Sequence, residues 1–468
     1  MRSTRYALPV LLALTAVVTA CKTHAPLIAP GANLASPLVI TSGNNQTGPA
    51  GSTLALPLVV TVSVNSTTVS GASITFAVTA GGGTITSTTV TTDSAGQAST
   101  ILTLGPASGT NSVTATLTSG TSTSSVTFNE TATAGSVLFG TATSFTTSGS
   151  AAGLSLGKVG GNPAVLVAQD TASLLLDSGS GTFGAPQDVA GSGQKPKGVL
   201  FVDLNGDGLF DVVAIDSGAA SVSVLLAQAG GGFGPATSYP TGTGSVAVAA
   251  GDLTGDNKPE LVVANGPNSV SVLINNGSGS FTVGTPVSVG TGPAAIVLAD
   301  VNGDGKLDIV TANSIDVTVA LGTGSGTFGA AQFFFGTSQA SGVAVGDVNL
   351  DGHPDIVTSN LGNNTISVFL GTGTGSFGAA TNFPAGTAPT SIVLADVNAD
   401  NRLDVVVATG GSVNVLLGTG TGAFGTATPS SLGSVTAVGL AVGDLNGDGK
   451  PDIVTANSNG TLSVLLHN

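Results

Sequence analysis

The stretch DVNGDGKLD, Asp300–Asp308, places three aspartates and an asparagine within nine residues of a chain in which only 7% of residues are charged. The pattern recurs as DLNGDGLFD at Asp203, DLTGDNKPE at Asp252, DVNLDGHPD at Asp347, DVNADNRLD at Asp396 and DLNGDGKPD at Asp444. Successive copies begin 47 to 49 residues apart. A fixed period of this size predicts a propeller or a solenoid.

Each repeat contains four short segments with the character of β-strands. In one unit they are SGVAVGD, DIVTSN, TISVFLG and FGAATNFP. Four strands per repeat of this length are typical of a propeller blade. No segment keeps a helical period for more than one turn, which disfavours a solenoid of alternating strands and helices.

The repeat count predicts seven blades. Six units carry the acidic motif, and a degenerate unit precedes them at Leu154–Asp170, where Lys158 replaces the first aspartate. The last unit ends after its third strand, whereas an extra FG pair, Phe139-Gly140, stands ahead of the first unit. We therefore expect residues 136–147 to complete the last blade, because closing the ring removes exposed sheet edges.

The acidic motif offers side-chain oxygens at positions 1, 3, 5 and 9 and a backbone carbonyl at position 7. Hard oxygen ligands in a tight loop select Ca²⁺. Position 6 must tolerate a positive φ, and it is glycine in four loops and Asn257 or Asn401 in the other two. An EF-hand loop lies between two helices and ends with a glutamate at position 12. These loops lie between strand-like segments and end with Asp or Glu at position 9, which disfavours an EF-hand.

Carboxylate repulsion gives a second reason to expect a cation. The six loops hold 18 of the 25 acidic residues of the chain. Two carboxylates about 5 Å apart repel by about 3 kcal/mol at an effective dielectric constant near 20. The sequence thus predicts about six structural Ca²⁺ sites, with six solvated, metal-free turns as the alternative.

The periodic region, residues 136–468, resembles the FG-GAP and VCBS repeat proteins and the β-propeller of integrin α-subunits. The resemblance lies in the D-x-[DN]-x-D-G-x-x-D loop and in the FG turns, of which FGAP at Phe183–Pro186 is a literal copy. It implies that Ca²⁺ pins the hairpin between the first two strands of a blade. The loop at Asp252 departs from the family pattern, with Thr254 at position 3 and Glu260 at position 9.

The predicted metal-ligating residues occupy positions 1, 3, 5, 7 and 9 of each loop. They are Asp203, Asn205, Asp207, Leu209 and Asp211; Asp252, Thr254, Asp256, Lys258 and Glu260; Asp300, Asn302, Asp304, Lys306 and Asp308; Asp347, Asn349, Asp351, His353 and Asp355; Asp396, Asn398, Asp400, Arg402 and Asp404; and Asp444, Asn446, Asp448, Lys450 and Asp452.

Residues 36–135 have the alternating pattern of a β-sandwich. About seven short strands separated by turns predict an immunoglobulin-like domain. The wording VSGASITFAVTAGGGTI and TTDSAGQASTILTLG resembles the bacterial Ig-like domains of invasin- and intimin-type surface proteins. An unrelated sandwich of the same shape is the alternative, and either would serve as a spacer. The predicted fold class is all-β, an Ig-like sandwich followed by a seven-bladed propeller closed by an N-terminal strand.

Residues 1–20 predict a lipoprotein signal peptide. Arg2 and Arg5 precede Ala7–Ala20, an apolar segment of 14 residues that is too short to span a bilayer. The following VTAC resembles the bacterial lipobox, with Cys21 as the lipidated residue; an ordinary signal peptide followed by an unrelated cysteine is the alternative. Residues 21–35 are expected to be a tether, and the protein to be exported and lipid-anchored at the outer membrane or cell surface.

Charge and aromatic content limit the possible partners. A net charge of −15 disfavours nucleic acid and anionic membrane surfaces. A lectin is an alternative, although the chain has no Trp and only two tyrosines, Tyr6 and Tyr239. Phe333 and Phe335 are extra aromatic residues in QFFFG, and we expect them to pack in an outer strand, with an exposed patch as the alternative.

Catalytic residues are not evident in the sequence. His24, His353 and His467 stand apart from any nucleophile pattern, so no Ser-His-Asp or Cys-His set is indicated. A polysaccharide-acting enzyme would need two acids from outside the loops to converge. By analogy of fold, we predict a non-catalytic, calcium-stabilised surface protein that binds or adheres to a protein or glycan.

Overall fold

The computed structural model describes residues 38–49, 52–105, 109–120, 122–133, 138–193 and 195–468. All regular elements in these ranges are β-strands, without a helix, which confirms the all-β prediction. A helix able to cross a membrane is likewise absent from the described ranges. The predicted signal peptide, the tether and Cys21 lie outside the described residues.

The N-terminal sheets are formed by residues 38–133. Their strands are β1 (Leu38–Ser42), β2 (Thr47–Pro49), β3 (Leu58–Val64), β4 (Thr67–Thr68), β5 (Ser73–Ala80), β6 (Thr84–Ile85), β7 (Thr89–Thr91), β8 (Gln97–Thr100), β9 (Leu102–Thr103), β10 (Gly109–Ser119) and β11 (Ser122–Thr133). One sheet has the order β1-β3-β4 with β8 also paired to β3, a second has the order β2-β11-β10-β5-β7, and β6 pairs with β9.

These sheets share one core because their strands alternate apolar and polar residues. In β10, Val113, Ala115 and Leu117 are buried, and the intervening threonines face outward. The buried residues meet Leu58 of β3 and Phe76 of β5 in a single hydrophobic cluster. One side of the cluster is therefore formed by one sheet and the other side by the second sheet, as in a sandwich.

The repeat region begins with a lone strand and continues in groups that have four strands in most repeats, five in the third and three in the last. The first strands are β12 (Thr143–Thr146); β13 (Gly153–Val159), β14 (Asn162–Ala168), β15 (Ser173–Leu176) and β16 (Gln187–Asp188); β17 (Val199–Val202), β18 (Asp211–Asp216), β19 (Ser221–Leu225) and β20 (Thr237–Pro240); and β21 (Ser245–Gly251), β22 (Glu260–Asn265), β23 (Ser269–Asn275), β24 (Phe281–Val283) and β25 (Val287–Ser288).

The later groups keep the same pattern to the end of the chain. They are β26 (Ala295–Ala299), β27 (Asp308–Ala312), β28 (Asp316–Ala320) and β29 (Gln332–Phe335); β30 (Ala340–Gly346), β31 (Asp355–Asn360), β32 (Thr365–Phe369) and β33 (Thr381–Pro384); β34 (Ser391–Ala395), β35 (Asp404–Ala408), β36 (Ser412–Leu416) and β37 (Thr428–Ser431); and β38 (Ala437–Gly443), β39 (Asp452–Asn457) and β40 (Thr461–Leu465).

Each group forms an antiparallel sheet in which the strands pair in chain order, except that β25 pairs with β23. The last sheet has the order β12-β40-β39-β38, so the lone strand β12 supplies its fourth strand. The first strand of each sheet lies beside the first strand of the next, and β13 lies beside both β17 and β38. The repeated sheets are consistent with a propeller.

The repeat cores lie between neighbouring sheets. The second and third strands are buried on both faces, which explains their continuous runs of Val, Ile, Leu and Ala. At the outer edge, an aromatic residue of one fourth strand packs edge-on against the FG phenylalanine of the next sheet. Phe334 meets Phe377 at a centroid distance of 5.2 Å, and Phe383 meets Phe424 at 5.8 Å.

The prediction for the extra phenylalanines was wrong. Phe333 and Phe335 are 47% and 66% exposed on β29, the outer strand of its sheet. Side chains alternate along a strand, and Phe334 occupies the position that packs against Phe377. Its two neighbours consequently face away from that contact.

Candidate metal centres

The six acidic loops occupy equivalent places in six sheets. Each connects the first strand of a sheet to the second, as Asp300–Asp308 does between β26 and β27. In the first sheet, β13 and β14 are instead joined by Gly160 and Gly161, both at positive φ. That pair suits a tight hairpin turn and leaves Lys158 where the other sheets have the first aspartate.

The aspartate at position 1 holds the turn of its loop. Asp300 Oδ1 accepts a hydrogen bond from the Gly303 N–H, and Asp300 Oδ2 accepts one from the Gly305 N–H, both at 2.7 Å. The bond from the position 6 N–H is present in all six loops, at 2.7 to 3.0 Å. Every position 6 residue has a positive φ, including Asn257 and Asn401, as the sequence predicts.

Position 4 is a second turn position, which the sequence analysis missed. Gly206, Gly255, Gly303 and Gly447 have φ values between 74° and 79°, whereas the other two loops place Leu350 and Ala399 at 62° and 58°. The four glycines were a usable signal for a left-handed residue. Because the other two loops have Leu350 and Ala399 at this position, the sequence did not indicate that a positive φ is required there.

The side chains at positions 3 and 5 support each other. In the Asp300 loop, Asn302 Oδ1 accepts a hydrogen bond from the Asp304 N–H at 3.0 Å. Asp304 Oδ1 accepts one from the Lys306 N–H, also at 3.0 Å, and the Lys306 ammonium lies 3.5 Å from Asp304 Oδ2. The side chains at positions 3 and 5 therefore hold the backbone of their own loop.

The carboxylate at position 9 is fully buried and joins the loop to the third strand. Asp308 Oδ2 accepts a hydrogen bond from the Val301 N–H at 2.9 Å, and Asp308 Oδ1 accepts one from the Gly322 N–H at 2.7 Å. Four other loops repeat this pair of bonds through Asp211, Asp355, Asp404 and Asp452. The position 9 side chain thus determines where the loop sits on its sheet.

Burial without a counter-charge disfavours ionisation at position 9. Burial, reinforced by the aspartates at positions 1 and 5, raises the pKa values of Asp211, Asp308 and Asp355. The effect is largest for Asp404, whose pKa rises to about 7. By contrast, desolvation at Asp304 is outweighed by the Lys306 N–H, the Lys306 ammonium and the Asn302 amide, which together lower the pKa of this carboxylate.

The Asp252 loop differs from the other five loops at position 3, which is Thr254, and at position 9, which is Glu260. Glu260 is fully buried, and its Oε2 accepts a hydrogen bond from the Leu253 N–H at 2.6 Å. Its Oε1 has no hydrogen-bond partner. Burial raises the pKa of Glu260, and the Leu253 and Asn275 N–H groups only partly oppose this shift. Thr254 Oγ1 is also buried without a partner. Two oxygens in one loop therefore lack the partner that buried polar atoms normally have.

The donor set fits Ca²⁺ in its chemistry. Every loop combines carboxylates with an amide or hydroxyl side chain and a backbone carbonyl, which are hard oxygen ligands. Thr254 Oγ1 and Glu260 Oε1, which are buried without hydrogen-bond partners, are oxygens of this kind. In the described ranges, no three acidic, histidine or cysteine side chains lie close enough together to hold a metal ion by themselves. The loop carboxylates instead hold backbone N–H groups.

Residues considered for catalysis have local roles in the described structure. His353 is exposed at position 7 of its loop, and His467 Nε2 lies 2.8 Å from the Val397 carbonyl oxygen. Asp177 accepts hydrogen bonds from the N–H groups of its own hairpin turn. Asp316 accepts one from the buried Asn313 amide at 2.7 Å. His467, Asp177 and Asp316 thus each contact backbone or amide groups near them.

The repeat region matches the model of the FG-GAP-like repeat. Five overlapping units match, at residues 203–263, 252–311, 300–358, 347–407 and 396–455, which together cover more than half of the chain. Each unit begins at the first aspartate of one acidic loop and continues past the next loop. No curated protein matches the chain.

Solved structures with propeller-like folds share low identity with the chain. A lectin of Agrocybe aegerita, described as recognising non-reducing terminal N-acetylglucosamine, is 18% identical, with a TM-score of 0.44 over 79% of this chain and 98% of its own. A protein from Lactobacillus plantarum is 17% identical, with a TM-score of 0.48 over 69% and 93%. A rhamnogalacturonan lyase is 14% identical, with a TM-score of 0.42 over 91% and 90%.

Proposed function

The chain belongs to the FG-GAP-like repeat family, and on that premise we propose that it is a non-catalytic, calcium-stabilised binding or adhesion protein of the cell surface. FG-GAP repeats fit a binding role. The proposal rests on an arrangement that the six loops share. In each loop, the aspartate at position 1 accepts hydrogen bonds from the turn, and the acidic residue at position 9 is buried. The acidic residues of the loops thereby serve the fold, and the repeat surface remains for a partner.

The proposed architecture is a seven-bladed propeller behind an Ig-like domain. The pairing of β12 with β40 and the position of β13 between β17 and β38 support seven blades and ring closure. The shared core of the N-terminal sheets supports an Ig-like sandwich at residues 36–135. That domain would act as a spacer between the membrane and the propeller at residues 136–468.

Calcium is the proposed structural ion. The residues at positions 1, 3, 5, 7 and 9 would hold it, as in Asp300, Asn302, Asp304, Lys306 and Asp308. A bound divalent cation would offset the burial and the carboxylate repulsion that together raise the pKa at position 9. The Asp252 loop is one of the proposed calcium sites, because its Thr254 and Glu260 oxygens without hydrogen-bond partners suit a cation.

The proposed location follows from the first 21 residues. The apolar segment and the lipobox-like VTAC support export and lipidation at Cys21. Intact mass after expression in bacteria, compared with a Cys21→Ser variant, tests this proposal. A diacylglyceryl mass on the native chain alone is expected, and equal masses would contradict lipidation.

A binding screen tests the proposed activity. The purified protein is applied to a glycan array and a panel of matrix proteins, in millimolar Ca²⁺ and again in chelator. We expect binding to a member of one panel in Ca²⁺ and its loss in chelator. Absence of binding in both conditions would contradict the adhesion proposal, and turnover of a polysaccharide would contradict the non-catalytic assignment.

A further inference from the structure

Arg402 connects two regions that are far apart in the sequence. It occupies position 7 of the acidic loop Asp396–Asp404, and its guanidinium donates a hydrogen bond to Thr84 Oγ1 at 2.9 Å. Thr84 begins β6 in the N-terminal sheets, 318 residues earlier. The contact therefore joins these sheets to one particular loop of the repeat region.

The Asp396 loop is also more covered than its equivalents. The side chains of Arg402 and Asp400 are only 17% and 12% exposed. At the same positions of the Asp300 loop, Lys306 and Asp304 are 43% and 36% exposed. Because the loops share one frame, this difference reflects what lies over the Asp396 loop rather than its internal structure.

The residue type at position 7 suits a bridging role. Arg402 is the only arginine after Arg5, and three of the other loops have lysine at this position. A guanidinium has five N–H donors in a planar fork, so it can face two acceptors at once. Arg402 reaches Thr84 while another of its nitrogens lies 4.0 Å from Asp400 Oδ2.

We propose that the Asp396 loop is a docking site for the N-terminal sheets and that the Arg402–Thr84 contact holds them there. The sheets are then fixed against the repeat region rather than swinging freely on a linker. A strengthening of the docking by Ca²⁺ would rest on the proposed function, because it requires a cation in the Asp396 loop. The Arg402–Thr84 contact does not depend on a cation.

Hydrogen–deuterium exchange of the purified full chain tests the docking. The variants are Arg402→Ala, Thr84→Val and the matched control Lys306→Ala, which alters position 7 of an uncovered loop. We expect Arg402→Ala and Thr84→Val to speed exchange roughly threefold to tenfold in both residues 82–86 and residues 396–403, as for one lost hydrogen bond. Lys306→Ala should leave residues 82–86 unchanged.

The same experiment in chelator separates the two proposals. Unchanged exchange at residues 82–86 in both Arg402→Ala and Thr84→Val would overturn the docking. If both variants speed exchange but chelator has no effect on the native chain, the docking stands and the calcium proposal for this loop fails. Faster exchange of both segments in chelator supports docking coupled to the cation.

Discussion

Asp308 and Gly322 are joined by a hydrogen bond of 2.7 Å from the Gly322 N–H to the buried Asp308 carboxylate. Gly322 is in turn bridged to Phe328, the phenylalanine of the FG pair in the same sheet. The two sequence signatures of the repeat, the acidic loop and the FG turn, thus meet at one residue, Gly322. The loop acid consequently has a structural task even before any cation binds.

Replacing Asp308 by asparagine should destabilise the protein even without metal. An amide oxygen can replace only one of the two buried acceptors, and its NH₂ group would face the other N–H. We expect the free energy of unfolding in chelator to fall by about 1–3 kcal/mol. Denaturant unfolding at pH 8 measures it.

Asp304→Asn is the matched control for this substitution. Asp304 is partly exposed at position 5 of the same loop, so its replacement should change stability little in chelator. It should reduce the stability gained on adding Ca²⁺. Equal effects of the two variants in chelator would contradict the structural task assigned to Asp308.

The metal-free protein should lose stability as pH rises from 5 to 8. Burial raises the pKa of Asp404 from 3.8 to about 7, so the folded state holds this proton more tightly than the unfolded state. Such stabilisation is complete below pH 3.8 and is lost as pH rises through 7. Asp304, with a lowered pKa, contributes a constant amount over this window.

Denaturant unfolding in chelator at pH 5 and pH 8 measures this dependence. The loss should be on the order of a few kcal/mol for Asp404, before any contribution from the other position 9 acids. Asp404→Asn should flatten part of the slope. Saturating Ca²⁺ should reverse it, because the cation competes with protons. A metal-free protein that is more stable at pH 8 would contradict the prediction.

Thr254→Val should have effects of opposite sign with and without Ca²⁺. In chelator, the change removes a buried hydroxyl that has no partner, so stability should stay equal or rise by about 1 kcal/mol. In Ca²⁺ it removes a proposed ligand, so the calcium-dependent gain should shrink. The free energy of unfolding is measured in both conditions. An unchanged calcium-dependent gain would exclude Thr254 as a ligand.

Gly303→Ala should destabilise the protein, and Ala399→Gly should do so less or not at all. Gly303 has a φ of 74° and open space around its Cα, so only the left-handed backbone opposes alanine. The cost is about 1–2 kcal/mol for an L-residue. Ala399 already bears this cost at a φ of 58°. Thermal melts of both variants in chelator provide the comparison, and equal destabilisation would be inconsistent with it.

The sequence predicted what local chemistry dictates. The positive φ at Asn257 and Asn401 follows from the turn that the motif must make at position 6, and the strand pattern follows from alternation and composition. The bond from Gly322 to Asp308 was not predicted, because it depends on how the third strand ends beside the loop. The Arg402–Thr84 contact spans 318 residues, and no local pattern encodes it.

The exposed phenylalanines show the same limit. In QFFFG the repeat pattern marks Phe333 and Phe335 as extra rings, but it does not determine whether these rings find a surface to pack against. The structure packs the half-buried Phe334 ring against Phe377 of the next sheet and leaves Phe333 and Phe335 exposed. That outcome depends on a side chain one repeat away.

Thermal unfolding in millimolar Ca²⁺ and in chelator tests the central calcium proposal most directly. Each site should contribute about 2.7 kcal/mol when free Ca²⁺ exceeds its dissociation constant 100-fold. The melting temperature of the native chain should therefore fall steeply in chelator, and a variant with Asp304→Asn should fall less because it starts with one site impaired. A melting temperature that is the same in both conditions would contradict calcium binding by the acidic loops.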